Sequence, residues 1–398
     1  MMRRFVLPIL VLLLVLLGCR PEESTLTIIV PQEEAQANRG APTLADFWDG
    51  SAEFILEVAE TGLPMGESET IEMDNGHLWS YVHASDRSAG VIDRCGDPVE
   101  FPGCTVIYRS FDGGMSFQTE APPICQFECN QCPCTSEFDH IDQQQYPSVS
   151  YSEVDNQLHM VYEYRGSTKY RSSPDGLRWS DPLPVSDTGH WRLDLKTCPD
   201  NQRIGSHPFV PFDYECLSGA PPGIHVEGNE VFVFVAMGES PGNMGCYRGF
   251  VGQSAEKYEP CNTPILFSGA QEYGPIEDRG RSTHAFWDFR YISSAEIYPL
   301  GEGENRRYYM FFEGIRGPGP FDAGDTQFGV GMARTLTNQL DGPWEKFHGN
   351  PILVDSPANI GIGHSDLIVI DGETILYTSL DGVTRSRLRL VWGDTAPQ

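Results

Sequence analysis

One pattern limits what this chain can fold into more than any other. Five times between residues 52 and 392 the same unit recurs: a strand, a turn, a more apolar strand, and a third strand. Where the third strand's end is well marked, it runs into a turn closing on an aromatic residue. Repetition at this length signals an architecture of stacked, similar parts. The first unit holds Thr70–Met73, the turn Asp74-Asn75-Gly76, His77–His83 and, after a cysteine-bearing insertion, Thr105–Ser110. The second holds Pro147–Tyr151, Leu158–Tyr164 and Lys169–Ser172, and the third Gly223–Val226, Gly228-Asn229 and Val231–Ala236. Ala295–Tyr298, Arg307–Glu313 and Gln327–Arg334 make the fourth. The fifth is Leu367–Ile370 and Thr374–Thr378, joined by Asp371-Gly372 and followed by Arg387–Trp392. Asp-Gly between two apolar runs is a strong hairpin signal, because both turn residues accept positive φ. No helix separates the units, so the strands pair antiparallel. The predicted fold is all-β, a five-bladed β-propeller of four-stranded antiparallel blades. The last unit stops after its third strand, and Glu53–Val58 supplies the missing outer strand and closes the ring.

The chain begins with Met-Met-Arg-Arg, an apolar run from Phe5 to Leu17 broken only by Pro8, and then Gly18-Cys19. A basic start and so short an apolar stretch read as a secretory signal, not a membrane span. Leu16-Leu17-Gly18-Cys19 resembles a bacterial lipobox, which implies lipidation of Cys19, signal removal after residue 18 and an extracytoplasmic lipoprotein. Arg20 in place of Asp favours the outer membrane if the cell is Gram-negative. Residues 20–44 are rich in Glu, Pro, Thr, Gln and Ala and read as a flexible tether, which leaves 45–398 for the propeller. A formal net charge of −29 argues against nucleic acid and against anionic headgroups, so contact with a membrane is expected through the lipid anchor only. The expected partner is a carbohydrate, bound by a monomer.

Besides Cys19 there are ten cysteines, an even number that favours disulfides in an exported chain. Cys95 with Cys104 is the best local pair. Cys125, Cys129, Cys132 and Cys134 read either as disulfide partners or as a four-thiolate metal site.

Two third strands end in turns of one kind. Ser110-Phe111-Asp112-Gly113-Gly114-Met115-Ser116-Phe117 matches the Asp-box pattern of sialidase-like propellers, and Ser173-Pro174-Asp175-Gly176-Leu177-Arg178-Trp179 is a version one residue shorter. The carboxylate accepts turn N–H groups, glycine supplies positive φ, and the aromatic ring wedges between strands. Ser110, Asp112, Gly114 and Phe117, like Ser173, Asp175, Gly176 and Trp179, are therefore structural, on the outer edge of a blade. The fifth unit is entered through Leu340-Asp341-Gly342-Pro343-Trp344, Asn350-Pro351-Ile352-Leu353 and Gly361-Ile362-Gly363-His364. That succession resembles the junction of the last two blades in five-bladed glycosidases, the group containing family-43 and family-32 enzymes.

The resemblance implies glycoside hydrolysis by carboxyl groups at the starts of innermost strands, near the axis. Such chemistry needs one protonated acid to help the leaving group and one carboxylate to activate water or attack. It also implies acids from the first, third and fourth blades and a fifth-blade histidine near a bound divalent cation or water cluster, with no further cofactor. His364 fits the histidine. At the fourth blade the expected Glu falls on Ser294, with Glu296 two residues on, and period-two alternation puts both on one strand face. The third blade offers Pro221-Pro222 and no acid; for the first, Glu69 or Glu72 is nearest. Asp142 and Asp366 precede the second and fifth inner strands, either facing the axis or forming turns. The expected catalytic set is Glu296 as acid with Asp366 or Asp142 as base. Trp287, Asp288 and Arg290 read as a sugar platform beside His364, or else as core.

Two other classes stay open. A glycan-binding or cell-surface interaction propeller without turnover keeps the fold and lacks the acids' chemistry, since fold does not imply function. A sialidase needs three arginines around a carboxylate; Arg171, Arg192, Arg279 and Arg290 are at hand, with nothing to place them together. No phosphate-cradling glycine loop, His-Glu-x-x-His or Gly-x-Ser-x-Gly segment occurs.

Overall fold

A computed structural model describes residues 40–64, 66–84, 92, 96, 104–119, 121–125, 144–164, 167–186, 188, 221–237, 243–261, 265–269, 287–288, 291–316, 327–354, 365–380 and 384–393. Its strands form five antiparallel sheets. Blade 1 is β2 (Ser68–Glu72), β3 (Leu78–Ala84), β4 (Cys104–Ser110) and β5 (Gln118–Thr119). Blade 2 is β6 (Gln145–Ser152), β7 (Gln157–Tyr164), β8 (Ser167–Ser173) and β9 (Leu183–Pro184). Blade 3 is β10 (Gly223–Glu227), β11 (Glu230–Met237), β12 (Asn243–Phe250) and β13 (Glu259–Pro260). Blade 4 is β14 (Tyr291–Leu300), β15 (Arg307–Arg316), β16 (Gln327–Thr335) and β17 (Trp344–Lys346), with β18 (Leu353–Val354) also on β16. Blade 5 is β19 (Asp366–Ile370), β20 (Glu373–Ser379), β21 (Arg385–Trp392) and, from the other end of the chain, β1 (Ala52–Val58). The register from Ala52↔Trp392 to Val58↔Arg387 closes the ring as the unit count requires.

Middle strands are apolar throughout because each is covered on both sides, the condition under which a strand reads as a continuous hydrophobic run. In β15 the alternation sorts side chains between two neighbours: Tyr308, Met310 and Phe312 pack with Phe232 and Phe234 of blade 3, while Tyr309 and Phe311 pack with Leu376 and Leu388 of blade 5. Five such clusters fill the five interfaces between adjacent blades. A short helix, α1 (Leu44–Trp48), caps itself: the Thr43 N–H and hydroxyl both donate to Asp46, at 2.8 and 2.7 Å. Its Leu44 and Trp48 join the cluster between blades 4 and 5, so packed structure reaches into the stretch read as tether.

The two Ser-x-Asp turns hold themselves as their chemistry demands. Asp112 accepts the Ser116 N–H at 3.0 Å, and Asp175 accepts those of Leu177 and Arg178 at 2.9 and 2.7 Å. In each turn a tyrosine of the preceding blade donates to a glycine carbonyl, Tyr377 to Gly114 at 3.0 Å and Tyr81 to Gly176 at 3.1 Å. Gly114 sits at φ +84°, and a Cβ there would stand 2.0 Å from the Tyr377 hydroxyl, so no other residue fits.

The cysteine expectation needs one correction. Cys104 is a free, buried thiol and is not joined to Cys95, which lies outside the described residues. It packs instead with Cys125 and Val106. Cys129, Cys132 and Cys134 lie outside the described residues too, and a disulfide links Cys246 to Cys261. Among the described residues no helix is long and apolar enough to cross a membrane.

Candidate active site

Three carboxyl groups meet where inner strands begin: Glu69 from blade 1, Glu296 from blade 4 and Asp366 from blade 5, with oxygens that all lie within 4.8 Å of one another. Each also reaches across to the next blade. Glu296 accepts the Leu367 N–H at 2.6 Å. Asp366 accepts the Ser68 hydroxyl at 2.8 Å, the Thr70 N–H at 2.9 Å and the Thr70 hydroxyl at 2.6 Å. Glu69 is bonded by the Ser148 side chain and the Val149 backbone. Between blades 2 and 3 the same stitch is made by serine, whose hydroxyl at Ser148 accepts the Ile224 N–H at 3.1 Å.

That serine decides how to weigh the acids. An uncharged hydroxyl is enough to tie neighbouring inner strands, so the stitch alone does not call for a carboxyl. Three of them in one spot, Asp366 buried and Glu69 and Glu296 partly so, carry a desolvation cost and mutual repulsion that a structural role would avoid.

Electrostatics follows from that crowding. Burial first, then Asp366, raises Glu69 well above the ordinary carboxylate range, and burial followed by Glu69 and Asp366 does the same to Glu296. Burial raises Asp366 as well, opposed by the Arg385 charge and by the hydrogen bonds from Thr70 and Ser68. With three donors on it, Asp366 is the member best held as a carboxylate. Arg385 is wholly buried; it donates to the Gly66 carbonyl at 2.7 Å and to that of Tyr377 at 3.3 Å while its charge acts on all three acids. A fourth carboxyl, Glu67, is held by His83 at 2.9 Å.

A cavity of about 20 Å³, room for a water molecule, opens beside the trio and is lined in part by Glu67, Glu69, Tyr146, Ser294 and Glu296. Its walls owe their shape to two matching bulges. The pairing slips by one residue between Gln145 and Ser148 in β6 and between Ser293 and Glu296 in β14. Tyr146 and Ser294 take φ of +55° and +51° there. Such bulges re-aim side chains next to functional sites. The alternation expected to put Ser294 and Glu296 on one face is therefore interrupted, although both border the cavity. Blade 3 offers Pro221-Pro222 and then Gly223, where a Cβ would lie 1.9 Å from the Ala295 carbonyl oxygen, so no acid fits at the first position of its inner strand.

Of the residues named from sequence, Glu296 and Asp366 are brought together. Asp142, His364, Arg290 and Cys19 lie outside the described residues. Trp287 and Asp288 do not line the acid cavity. The Trp287 ring stacks 5.4 Å from Phe312 over Gly314 and Gly331, where a Cβ would come within 2.1 and 2.3 Å of it, and Asp288 pairs with Lys346 at 2.6 Å. Glu69, named with Glu72, completes the trio, whereas Glu72 is exposed. Arg385 and the Glu67–His83 pair went unnamed; Arg385 begins a third strand, and only the ring closure brings it to the acids. The trio's spacing also suits three anionic oxygens on one cation, so these residues could hold a divalent metal ion.

The site and strand pairing define a five-bladed β-propeller with a carboxyl cluster at its axis. No protein-family model matches the sequence, and no curated protein does. The structure is similar to the catalytic domain of Coprinopsis cinerea GH62 alpha-L-arabinofuranosidase, at TM-score 0.47 and 12% identity over 87% of this chain and 98% of that one. It is similar to a thermostable family-43 glycoside hydrolase at 0.48 and 15%, covering 85% and 96%. An endo-arabinase from Bacteroides thetaiotaomicron gives 0.46 and 13%, covering 86% and 98%. Likeness at this level carries nothing about the reaction.

Proposed function

We propose that this protein is a glycoside hydrolase acting on a poly- or oligosaccharide, with Glu296 as general acid and Asp366 as the carboxylate facing it. The observation that carries the reading is the trio itself: carboxyls from three blades in one spot, all raised by burial, with Asp366 drawn back by the Arg385 charge and by the hydrogen bonds of Thr70 and Ser68. Acids whose environments drive their protonation apart are how one site supplies both a donor and an acceptor of protons. The Glu296 O–H gives its proton to the departing glycosidic oxygen while Asp366, too close to Glu296 to leave room for a water between them, adds to the anomeric carbon; water, deprotonated by Glu296, then adds there and releases the Asp366 carboxylate. Glu69, raised by burial and by Asp366, is held protonated beside them. We place the enzyme outside the cytoplasm, anchored through a lipid on Cys19.

A second reading, glycan binding without turnover, is favoured by one observation: every acid of the trio is engaged in tying blades together. Of the arginines named for sialic acid, Arg192, Arg279 and Arg290 lie outside the described residues, and Arg171 lies 5.9 Å from the Tyr162 ring.

The test is a form starting at Pro21, offered arabinan, xylan, fructan, mannan, galactan and sialylated oligosaccharides, with released sugar measured beside Glu296→Gln and Asp366→Asn. Release that either substitution abolishes in a folded protein supports the hydrolase. Saturable retention on one glycan with no release from any would replace it by the binding protein.

A further inference from the structure

Cys104 is a thiol in this structure, and we propose that it forms a disulfide with Cys125 when the protein folds in an oxidising compartment. Both side chains are buried, at 2% and 0% exposure, and they share one packed cluster with Val106. The backbone brings them there by design of the blade. Cys104 opens β4, the third strand, and Cys125 follows β5, the fourth, as the chain returns toward the cavity face. The returning segment is fixed in place: the Cys125 N–H donates to the Ile92 carbonyl at 2.8 Å, and the Ile92 N–H to that of Pro123 at 2.9 Å.

Blade 3 supplies the independent precedent. There Cys246 sits in β12, the third strand, and Cys261 directly follows β13, the fourth, and these two are bonded, with Cα atoms 5.3 Å apart. Blades 1 and 3 therefore each carry one cysteine on the third strand and one after the fourth, though not at matching positions, since Cys261 directly follows β13 while Cys125 lies further along from β5, and on blade 3 the bond is formed. A pair of cysteines that converge in a signal-bearing chain is expected to oxidise. Each thiol loses a proton and the two sulfurs together lose two electrons as the S–S bond forms. Those electrons pass to a thiol–disulfide oxidoreductase of the exporting compartment during folding, before the cluster is buried.

The bond would sit behind the site. Cys104 pairs with Ala84 and Thr105 with His83, the residue that holds Glu67 at the cavity wall. The staple would fix the third strand at the point where His83 leaves the blade for the cavity.

Peptide mapping of the full chain, exported and alkylated without reductant, reads this directly. The expected product is a cross-linked pair of peptides containing Cys104 and Cys125, two hydrogens lighter than the separate thiols and lost on reduction. A second readout is thermal: Cys104→Ala should lower Tm without reductant, and most of that shift should vanish with reductant. Cys104 linked to Cys95 or to any other cysteine would overturn the proposal. So would full alkylation of both residues in protein whose Cys246–Cys261 bond is intact.

Discussion

The two faces of the propeller treat the same chemical group in opposite ways. On one face the inner and middle strands are joined by 73–77, 153–156, 228–229, 301–306 and 371–372, and the Asp112 and Asp175 turns lie at this end of their blades. On the other face the outer strands β1, β5, β9, β13 and β18 end, and the inner strands that carry Glu69, Glu296 and Asp366 start. Burial works against the charge of Asp112 and Asp175, yet hydrogen bonds from the Ser116, Ser110, Arg178 and Leu177 positions outweigh it and hold both carboxyls low. At the axis burial wins for Glu69 and Glu296, because the hydrogen bonds on each are outweighed by deeper burial and by a facing acid. A carboxyl held low by turn N–H groups in water is building material; one raised by burial beside other acids is poised to exchange a proton.

The sharpest way to break that contrast is Glu296→Gln. If Glu296 is the acid, released sugar should fall by roughly 10²–10⁴-fold with the fold retained. Stability should move the other way. A carboxyl whose folded pKa is raised binds its proton more tightly in the native state, so it favours folding below its unfolded pKa near 4.5 and loses that contribution as pH climbs toward the folded value. Glu296→Gln and Glu69→Gln should therefore raise Tm at pH 8 relative to the parent and do little at pH 4. Melting curves at both values check it; a Tm that falls equally at both would make these acids structural.

Arg385→Met comes next. It strips from the trio the buried guanidinium whose charge acts on all three acids, which should cost ~3–5 kcal/mol. Urea titration reads the loss. Pairing Arg385→Met with Glu69→Gln should recover part of it, and strict additivity would show that the two do not interact.

Both faces were legible in the sequence to different depths. The turn face was readable residue by residue, because Ser-x-Asp, Asp-Gly and the following aromatic act within a few positions of one another. The site face was readable only as far as strand starts: Glu296 and Asp366 stand out because each immediately enters an apolar strand. Glu69 could not be separated from Glu72 without knowing that β2 begins at Ser68. The bulge at Ser294 leaves no mark in the pattern of apolar residues, and an alternation argument fails across it. Arg385 belongs to the site only because the ring closes, a contact between Arg385 and Gly66 at opposite ends of the chain. Trp287 misleads for a related reason: the glycines that seat its ring, Gly314 and Gly331, lie on strands that follow it.

The smallest expected effect belongs to the turn face. Asp112→Ala leaves the Ser116 N–H and hydroxyl without their acceptor, at 3.0 and 2.6 Å in the parent, and Asp175→Ala does the same to the Leu177 and Arg178 N–H groups. Both turns border water, which replaces part of what is lost, so each change should cost ~1–2 kcal/mol, as for a helix N-cap. On separate blades the two should add. Because both carboxyls are held below their ordinary value, their contribution is present above the unfolded pKa of about 3.8 and fades as pH falls through the folded values. The difference in Tm between parent and Asp112→Ala should accordingly shrink in strong acid, the reverse of the trend at Glu296. Sugar release should stay at the parent level, since the turns are on the far side of the blades from the trio. A loss of release without a loss of Tm would place the turn in the chemistry and dissolve the distinction between the faces.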